Sequence, residues 1–272
     1  MLTEVVKNNI KEALESGDLN RKVMTGDHVV TMEERRRYIL HYDNSKKHFY
    51  NRIKARIAGR IVKKLTSEIN QNTKIYGLQN LANLPHQGAI ITANHFSPVD
   101  STVVRYLIEK IINPRKFSIV VAESNFFMSG KLGWLLKNVN TMPFTNDLRY
   151  LEDNFNPAIA DKFQKGHYVL FYPEQEMWPG YTKPRPLKSG AYHYASKYHV
   201  PLISTFITMK KVGGKIEYAI HVFPLIYPDS NVSLKENKIR MMNEDFANKK
   251  ACYEYCYQKR LDYHFNDEDL IF

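Results

Sequence analysis

The residues best suited to do chemistry lie in the stretch Asn94-His95-Phe96-Ser97-Pro98-Val99-Asp100. A carboxylate bonded to one imidazole nitrogen fixes the ring tautomer and leaves the other nitrogen to take a proton from a hydroxyl. The same carboxylate stabilises the imidazolium as it forms. No protein nucleophile is evident beside this pair, so the hydroxyl would belong to a substrate. His95 thus reads as a general base and Asp100 as its partner. The plainer alternative is a satisfied loop histidine and an aspartate serving a helix N-terminus.

The surrounding elements favour the chemical reading. The apolar run Gly88–Ala93 predicts a buried strand that ends just before His95. Ser97 is a good N-cap, and Pro98 suits the first helical position, which places Asp100 at N3. Both side chains would then meet at the mouth of a sheet, where open α/β folds bind ligands. Further buried strands are expected at Ser118–Ala122, Thr141–Phe144, Tyr168–Tyr172 and Pro201–Thr208. Helices are expected between them at Pro98–Ile112, Gly130–Asn138, Tyr150–Lys165 and Ser189–Tyr198. Such alternation predicts an α/β fold, with a mixed, mostly parallel central sheet flanked by helices. Phe206–Val212, Gly213-Gly214 and Lys215–Phe223 predict a hairpin with a primed turn at one edge. Glu236–His264 predicts a long terminal helix or helix pair.

Two parts are expected, an N-terminal helical segment over 1–72 and a larger domain over 73–272. In the first, Glu33–Tyr42 is a short candidate helix and Lys46–Ile69 a stronger one. Phe49, Ile53, Ile57, Ile61 and Leu65 recur every fourth residue, with Arg52, Arg56, Arg60 and Lys63 gathered opposite. This pattern fits a helix lying on an anionic membrane. It fits equally a helix packed on its own domain with a solvated basic face.

Charge agrees with a polyanionic partner, since Lys and Arg total 39 against 28 Asp and Glu. Eight of those cations fall between Lys46 and Lys64 with no acid among them. Nucleic acid is disfavoured, because zinc-ligand spacing, aromatic RNA-binding strands and a helix-turn-helix are all missing from the sequence. Nucleotide cofactors are disfavoured by the lack of a glycine-rich phosphate loop. No secretory signal is visible, and no apolar run approaches the roughly 20 residues that span a bilayer. The two cysteines, Cys252 and Cys256, stand one helical turn apart. They exclude a disulfide framework, suit a reduced cytoplasmic setting and read as ordinary helix residues, two Cys alone making a weak metal site.

The stretch Asn94-His95 to Asp100 resembles the first signature block, Asn-His-x4-Asp, of the glycerol-phosphate and lysophospholipid acyltransferases, which include the 1-acylglycerol-3-phosphate acyltransferases. Three further stretches follow in that family's order, so the resemblance spans roughly Lys74 to Phe223. Thr141-Met142-Pro143-Phe144-Thr145-Asn146 is similar to the second block, with Asn146 where the family has an Arg and Arg149 three residues later. Phe171-Tyr172-Pro173-Glu174 is similar to the third, Phe-Pro-Glu-Gly-Thr-Arg, but its Gly, Thr and Arg give way to the basic loop Lys183-Pro184-Arg185-Pro186-Leu187-Lys188. Val200-Pro201-Leu202-Ile203 is similar to the fourth.

The resemblance implies an O-acyltransferase of phospholipid biosynthesis with His95 as base and Asp100 as its partner. It implies a fatty acyl donor, acyl-CoA or acyl-carrier protein, and a lysophospholipid-type acceptor, 1-acylglycerol-3-phosphate being favoured. Asn94, Phe144, Arg149 and Glu174 are expected at the substrate. Lys183, Arg185 and Lys188 are expected to replace the family's phosphate-binding arginines, or else to be merely solvated. Neither a metal nor another cofactor is required. The expected setting is the cytoplasmic face of a membrane, peripherally attached. The altered second and third blocks leave two other readings open, a non-phosphate lipid acceptor and a catalytically weak lipid-binding homologue.

Overall fold

The computed structural model describes residues 3–26, 30–31, 33–34, 49–84 and 87–272. The expected helix over Glu33–Tyr42 lies outside these residues except for Glu33 and Glu34. A seven-stranded sheet forms the centre, in the order β1-β7-β6-β2-β5-β3-β4. Its strands are β1 (Lys74–Tyr76), β2 (Ala89–Thr92), β3 (Phe117–Ala122), β4 (Thr141–Phe144), β5 (Tyr168–Phe171), β6 (Leu202–Val212) and β7 (Lys215–Val222). All neighbours run parallel except the hairpin β6–β7. The sheet is therefore mixed and mostly parallel, as the alternation of the sequence and its one hairpin together predict. Gly213 and Gly214 take φ of 55° and 77° in the hairpin turn, a left-handed pair that glycine adopts without a Cβ clash.

The central strands β2 and β5 are buried at every position, which is why they read as unbroken apolar runs. On one face, Val103, Val104, Leu107 and Ile108 of α3 (Ser101–Ile108) cover Ile91, Ala93, Ile203 and Ile207. On the other, α7 (Gly190–Tyr198) and α8 (Leu234–Tyr257) pack Tyr192, Ala195 and Met241 over Ile90, Val169 and Leu202. The remaining helices after β3 are α4 (Gly130–Asn138), a short α5 (Leu148–Tyr150) and α6 (Asn156–Gln164), the last two joined by a π-helical segment, Leu151–Phe155. The terminal helix α8 starts at a capping box of Ser233 and Glu236 and ends at Tyr257 rather than His264. Beyond it the tail runs back across the molecule, where Leu270 bridges to Tyr181.

The N-terminal helices serve two different surfaces. Helix α1 (Glu4–Glu15) sinks Val6, Ile10, Ala13 and Leu14 against Trp178 and Tyr181. Each fully buried large side chain of this kind contributes about 1.5–3 kcal/mol, so α1 is part of the main body. Helix α2 (Phe49–Ile69) packs against α3 and α4. Among its described side chains the buried ones are Ala58 and Thr66, whereas Ile53, Ile57 and Ile61 are exposed. The expected apolar stripe therefore faces outward over most of its length. An every-fourth-residue repeat drifts about 40° per step on a helix of 3.6 residues per turn. Half-buried Leu65 has consequently swung towards the core. Exposed Lys54, Arg56, Arg60 and Lys64 flank the exposed isoleucines. No described helix is long and apolar enough to cross a membrane.

Candidate active site

Strand β2 ends at Thr92 and delivers His95 to the C-terminal edge of the sheet. The chain then turns tightly at Pro98–Asp100, and α3 begins only at Ser101. Ser97 caps this turn, its Oγ accepting from Val99 N at 3.3 Å. Asp100 thus stands one position before the helix instead of inside its first turn. From there its carboxylate reaches back to the loop. Its Oδ2 lies 2.8 Å from His95 Nδ1 and accepts from Phe96 N at 2.9 Å and Ser97 N at 3.1 Å. An ionised carboxylate only accepts, so the neutral imidazole bonded to it holds its proton on Nδ1 and keeps its lone pair on Nε2. Asp100 is 2% exposed and His95 22%, so the carboxylate is shielded while the ring has a path to solvent.

Tyr172, the residue just past β5, completes the arrangement. Its hydroxyl donates to Asp100 Oδ1 at 2.6 Å, and its ring stacks on His95 with centroids 4.0 Å apart. Burial, and next the charge of Asp100, raise the Tyr172 pKa well above its ordinary value, so the phenol stays protonated and keeps donating. Sequence reasoning assigned Tyr172 no role. The available signal was its height: β2 and β5 pair in register at Thr92 and Phe171, so the next residues emerge side by side.

A buried ion pair supports the His95 loop from below. Glu174 Oε2 accepts from His95 N at 3.3 Å and from Arg185 Nη2 at 3.0 Å, while Oε1 accepts from Arg185 N at 3.0 Å. The Arg185 guanidinium also donates to Leu19 O and Glu176 O and lies 4.5 Å from the Trp178 ring centre. Burial lowers the Arg185 pKa, against which Glu174 acts. The loop after Glu174 then docks on the His95 loop through Trp178 N to His95 O at 3.0 Å and Gly180 N to Phe96 O at 2.9 Å.

Several expected substrate contacts fall elsewhere. Both ends of the Asn94 amide are taken by Ile207 of β6, at 3.0 Å and 2.8 Å, so this side chain extends the sheet ladder instead of facing a ligand. Arg185 is 1% exposed and committed to Glu174. Lys183 is 4% exposed and held by Asp269 at 2.8 Å and Asp262 at 3.0 Å. These two of the loop's three cations each tie down protein, Arg185 the His95 loop and Lys183 the C-terminal tail. Lys188 is exposed. Arg149 is also exposed and pairs with Asp153 at 3.4 Å. Phe144 packs edge-on to Phe155 on β4, which stands three strands from β2, about 14 Å at the usual spacing. Glu174, expected to shape the acceptor site, bears on the backbone of His95.

The solved structure of the 1-acyl-sn-glycerophosphate (LPA) acyltransferase of Thermotoga maritima is 15% identical, with a TM-score of 0.49 over 83% of this chain and 95% of that one. So loose a likeness bears on neither acceptor nor site. No curated protein matches the chain. The model of the acyltransferase family matches residues 72–208, from just before β1 to the middle of β6. Half of the chain, including the whole His95 loop and the strands beneath it, carries that family's pattern, and the protein belongs to the acyltransferase family and is an acyltransferase.

Proposed function

We propose that the protein transfers a fatty acyl group from an acyl thioester, acyl-CoA or acyl-carrier protein, to the hydroxyl of a lysophospholipid-type acceptor at an anionic membrane surface, in phospholipid biosynthesis. The observation that carries this reading is the Asp100–His95 contact, which leaves Nε2 as the open basic atom. In the reaction, Nε2 takes the acceptor's hydroxyl proton as the oxygen attacks the thioester carbonyl. The tetrahedral intermediate collapses by breaking the carbon–sulfur bond, and the imidazolium returns the proton to the leaving thiolate. An ester and a free thiol result. General-base assistance of this kind supplies about 10²- to 10⁴-fold, and holding donor and acceptor together supplies much of the remainder.

The membrane part of the reading is supported by Ile53, Ile57 and Ile61, which stand exposed among cations on α2. The favoured acceptor is 1-acylglycerol-3-phosphate, with exposed Lys188, and exposed Arg149 on leaving its surface pair with Asp153, as the cations to meet its phosphate. A second reading, a hydroxylated lipid without phosphate, is favoured by the withdrawal of Lys183 and Arg185 into internal ion pairs. Thioester consumption by purified protein on anionic vesicles separates the two. Turnover with lysophosphatidic acid supports the first; turnover confined to uncharged lyso-lipids moves the acceptor to the second; no turnover with any acceptor removes both.

A further inference from the structure

Outside the His95 loop, one cluster joins three soft-metal ligands from two elements. Cys252 and Cys256 are four apart on α8 and so share a face of the helix. His221 of β7 meets that face. Its neighbours Ile220 and Val222 belong to the core on the α3 side, so the alternation of a strand turns His221 to the opposite side, the one α8 covers. The Cys252 and Cys256 sulfurs lie 3.8 Å apart, and Cys256 Sγ lies 3.7 Å from His221 Nε2. All three ligand atoms fall within 4.8 Å of one another.

We propose that His221, Cys252 and Cys256 form a binding site for a soft divalent cation, zinc in the first instance, with water as the fourth ligand. The separations are the physical ground. Zn–S bonds of about 2.3 Å at the tetrahedral angle set a sulfur–sulfur distance of about 3.8 Å, and a Zn–N bond of about 2.0–2.1 Å sets a sulfur–nitrogen distance of about 3.5–3.6 Å. The two observed contacts match these edges, and a small rotation of the thiol side chains closes the third. The ring of His221 is already oriented, because it stacks on Tyr76 of β1 with centroids 5.0 Å apart. Thr208 Oγ1, 3.2 Å from the same nitrogen, has Ala219 O as an alternative acceptor at 3.4 Å when a cation takes Nε2. Cys252 is buried and Cys256 exposed, so the site has a walled side and an entry side. The cysteine pair alone, one turn apart, gave no such site in the sequence; the imidazole that completes it comes from the sheet.

The site would act as a clip. It would fasten α8 to the β6–β7 hairpin, and α8 carries Asp245 and Lys249, which hold Thr92 of β2, three residues before His95. Loading would therefore stabilise the face of the sheet opposite α3 without entering the acyl-transfer reaction.

The test uses the full chain, stripped with a chelator and kept under a non-thiol reductant. Cobalt(II) and zinc are titrated against a chromophoric chelator, and each variant is melted without metal to establish that it folds. The expected result is one cation per chain, a sulfur-to-cobalt charge-transfer band with tetrahedral ligand-field absorption, and a rise in melting midpoint on adding zinc. Loss of a hydrogen-bond partner to a metal ligand already costs about 10- to 100-fold in affinity, so Cys256→Ser and His221→Ala should each cost at least that. Binding by the wild type no stronger than by a Cys252→Ser/Cys256→Ser double variant would overturn the proposal. So would binding that survives His221→Ala unchanged, since a bare dithiol would then account for it.

Discussion

Tyr172 and Asp100 meet at 2.6 Å, the phenol donating to Oδ1 and leaving Oδ2 for His95 and two backbone amides. The tyrosine therefore constrains His95 twice, through the carboxylate that orients its ring and through the ring stacked on it. Tyr172→Phe keeps the stack and removes the hydrogen bond. A bond to a charged group is worth about 1.5–3 kcal/mol, of which only the part that improves between ground and transition state appears in the rate. Turnover should fall by roughly 5- to 30-fold with the acceptor KM nearly unchanged. Steady-state kinetics beside a thermal melt checks this, and an equal loss in KM alone would remove Tyr172 from the positioning role.

The Glu174–Arg185 pair should behave as structure. Removing one member of a buried ion pair costs about 3–5 kcal/mol, because the other is left charged and unpartnered. Arg185→Ala should lower stability by that order in a denaturant titration and depress turnover through His95. Replacing both residues with Met should recover much of the stability. A variant Arg185→Ala that melts like the wild type but loses acceptor affinity would return the guanidinium to phosphate binding.

The outward isoleucines of α2 should matter only to membrane binding. Ile53→Glu with Ile57→Glu removes apolar surface and adds repulsion from anionic lipid. Partitioning onto anionic vesicles should drop by roughly tenfold or more, with the melting midpoint and turnover of a detergent-dispersed substrate little changed. Co-sedimentation measures the first, and unaltered partitioning would take α2 away from the membrane.

His167 gives a pH signature. Burial, and then the nearby Lys162 and Lys116, lower its pKa from 6.5 to about 4, and its Nδ1 is buried without a hydrogen-bond partner. The unfolded chain therefore binds the proton first. Stability is intact above about pH 6.5, falls as pH drops towards 4, and levels off below. The full shift corresponds to at most roughly 3 kcal/mol, and partial exposure with solvent screening reduces it to about 1–2 kcal/mol. Against wild type, His167→Gln should flatten the stability curve between pH 6.5 and 4; parallel curves would contradict the assignment.

The sheet was legible in the sequence because its central strands are buried on both faces, so Ala89–Ala93 and Tyr168–Tyr172 are continuous apolar runs. Three-residue β1 is too short to carry a period, so the sequence does not reveal it. His95 and Asp100 were legible because cap, proline and carboxylate sit within one turn of chain. The roles of the basic loop are not legible for the converse reason. What decides between a solvated cation, a phosphate ligand and an internal ion pair is the partner, and the partners of Lys183, Asp262 and Asp269, arrive from the far end of the chain. The α2 stripe was seen, but only packing on α3 and α4 fixes which side of it meets solvent.

In the proposed reaction His95 Nε2, oriented by Asp100, is the base that deprotonates the acceptor. Its most direct test is single-turnover acyl transfer from a thioester to the accepted lyso-lipid by wild type, His95→Ala and Asp100→Asn, each first shown to fold. That role requires a loss of about 10²- to 10⁴-fold in both variants, with vesicle binding intact. Transfer by His95→Ala at a rate near that of the wild type would contradict it.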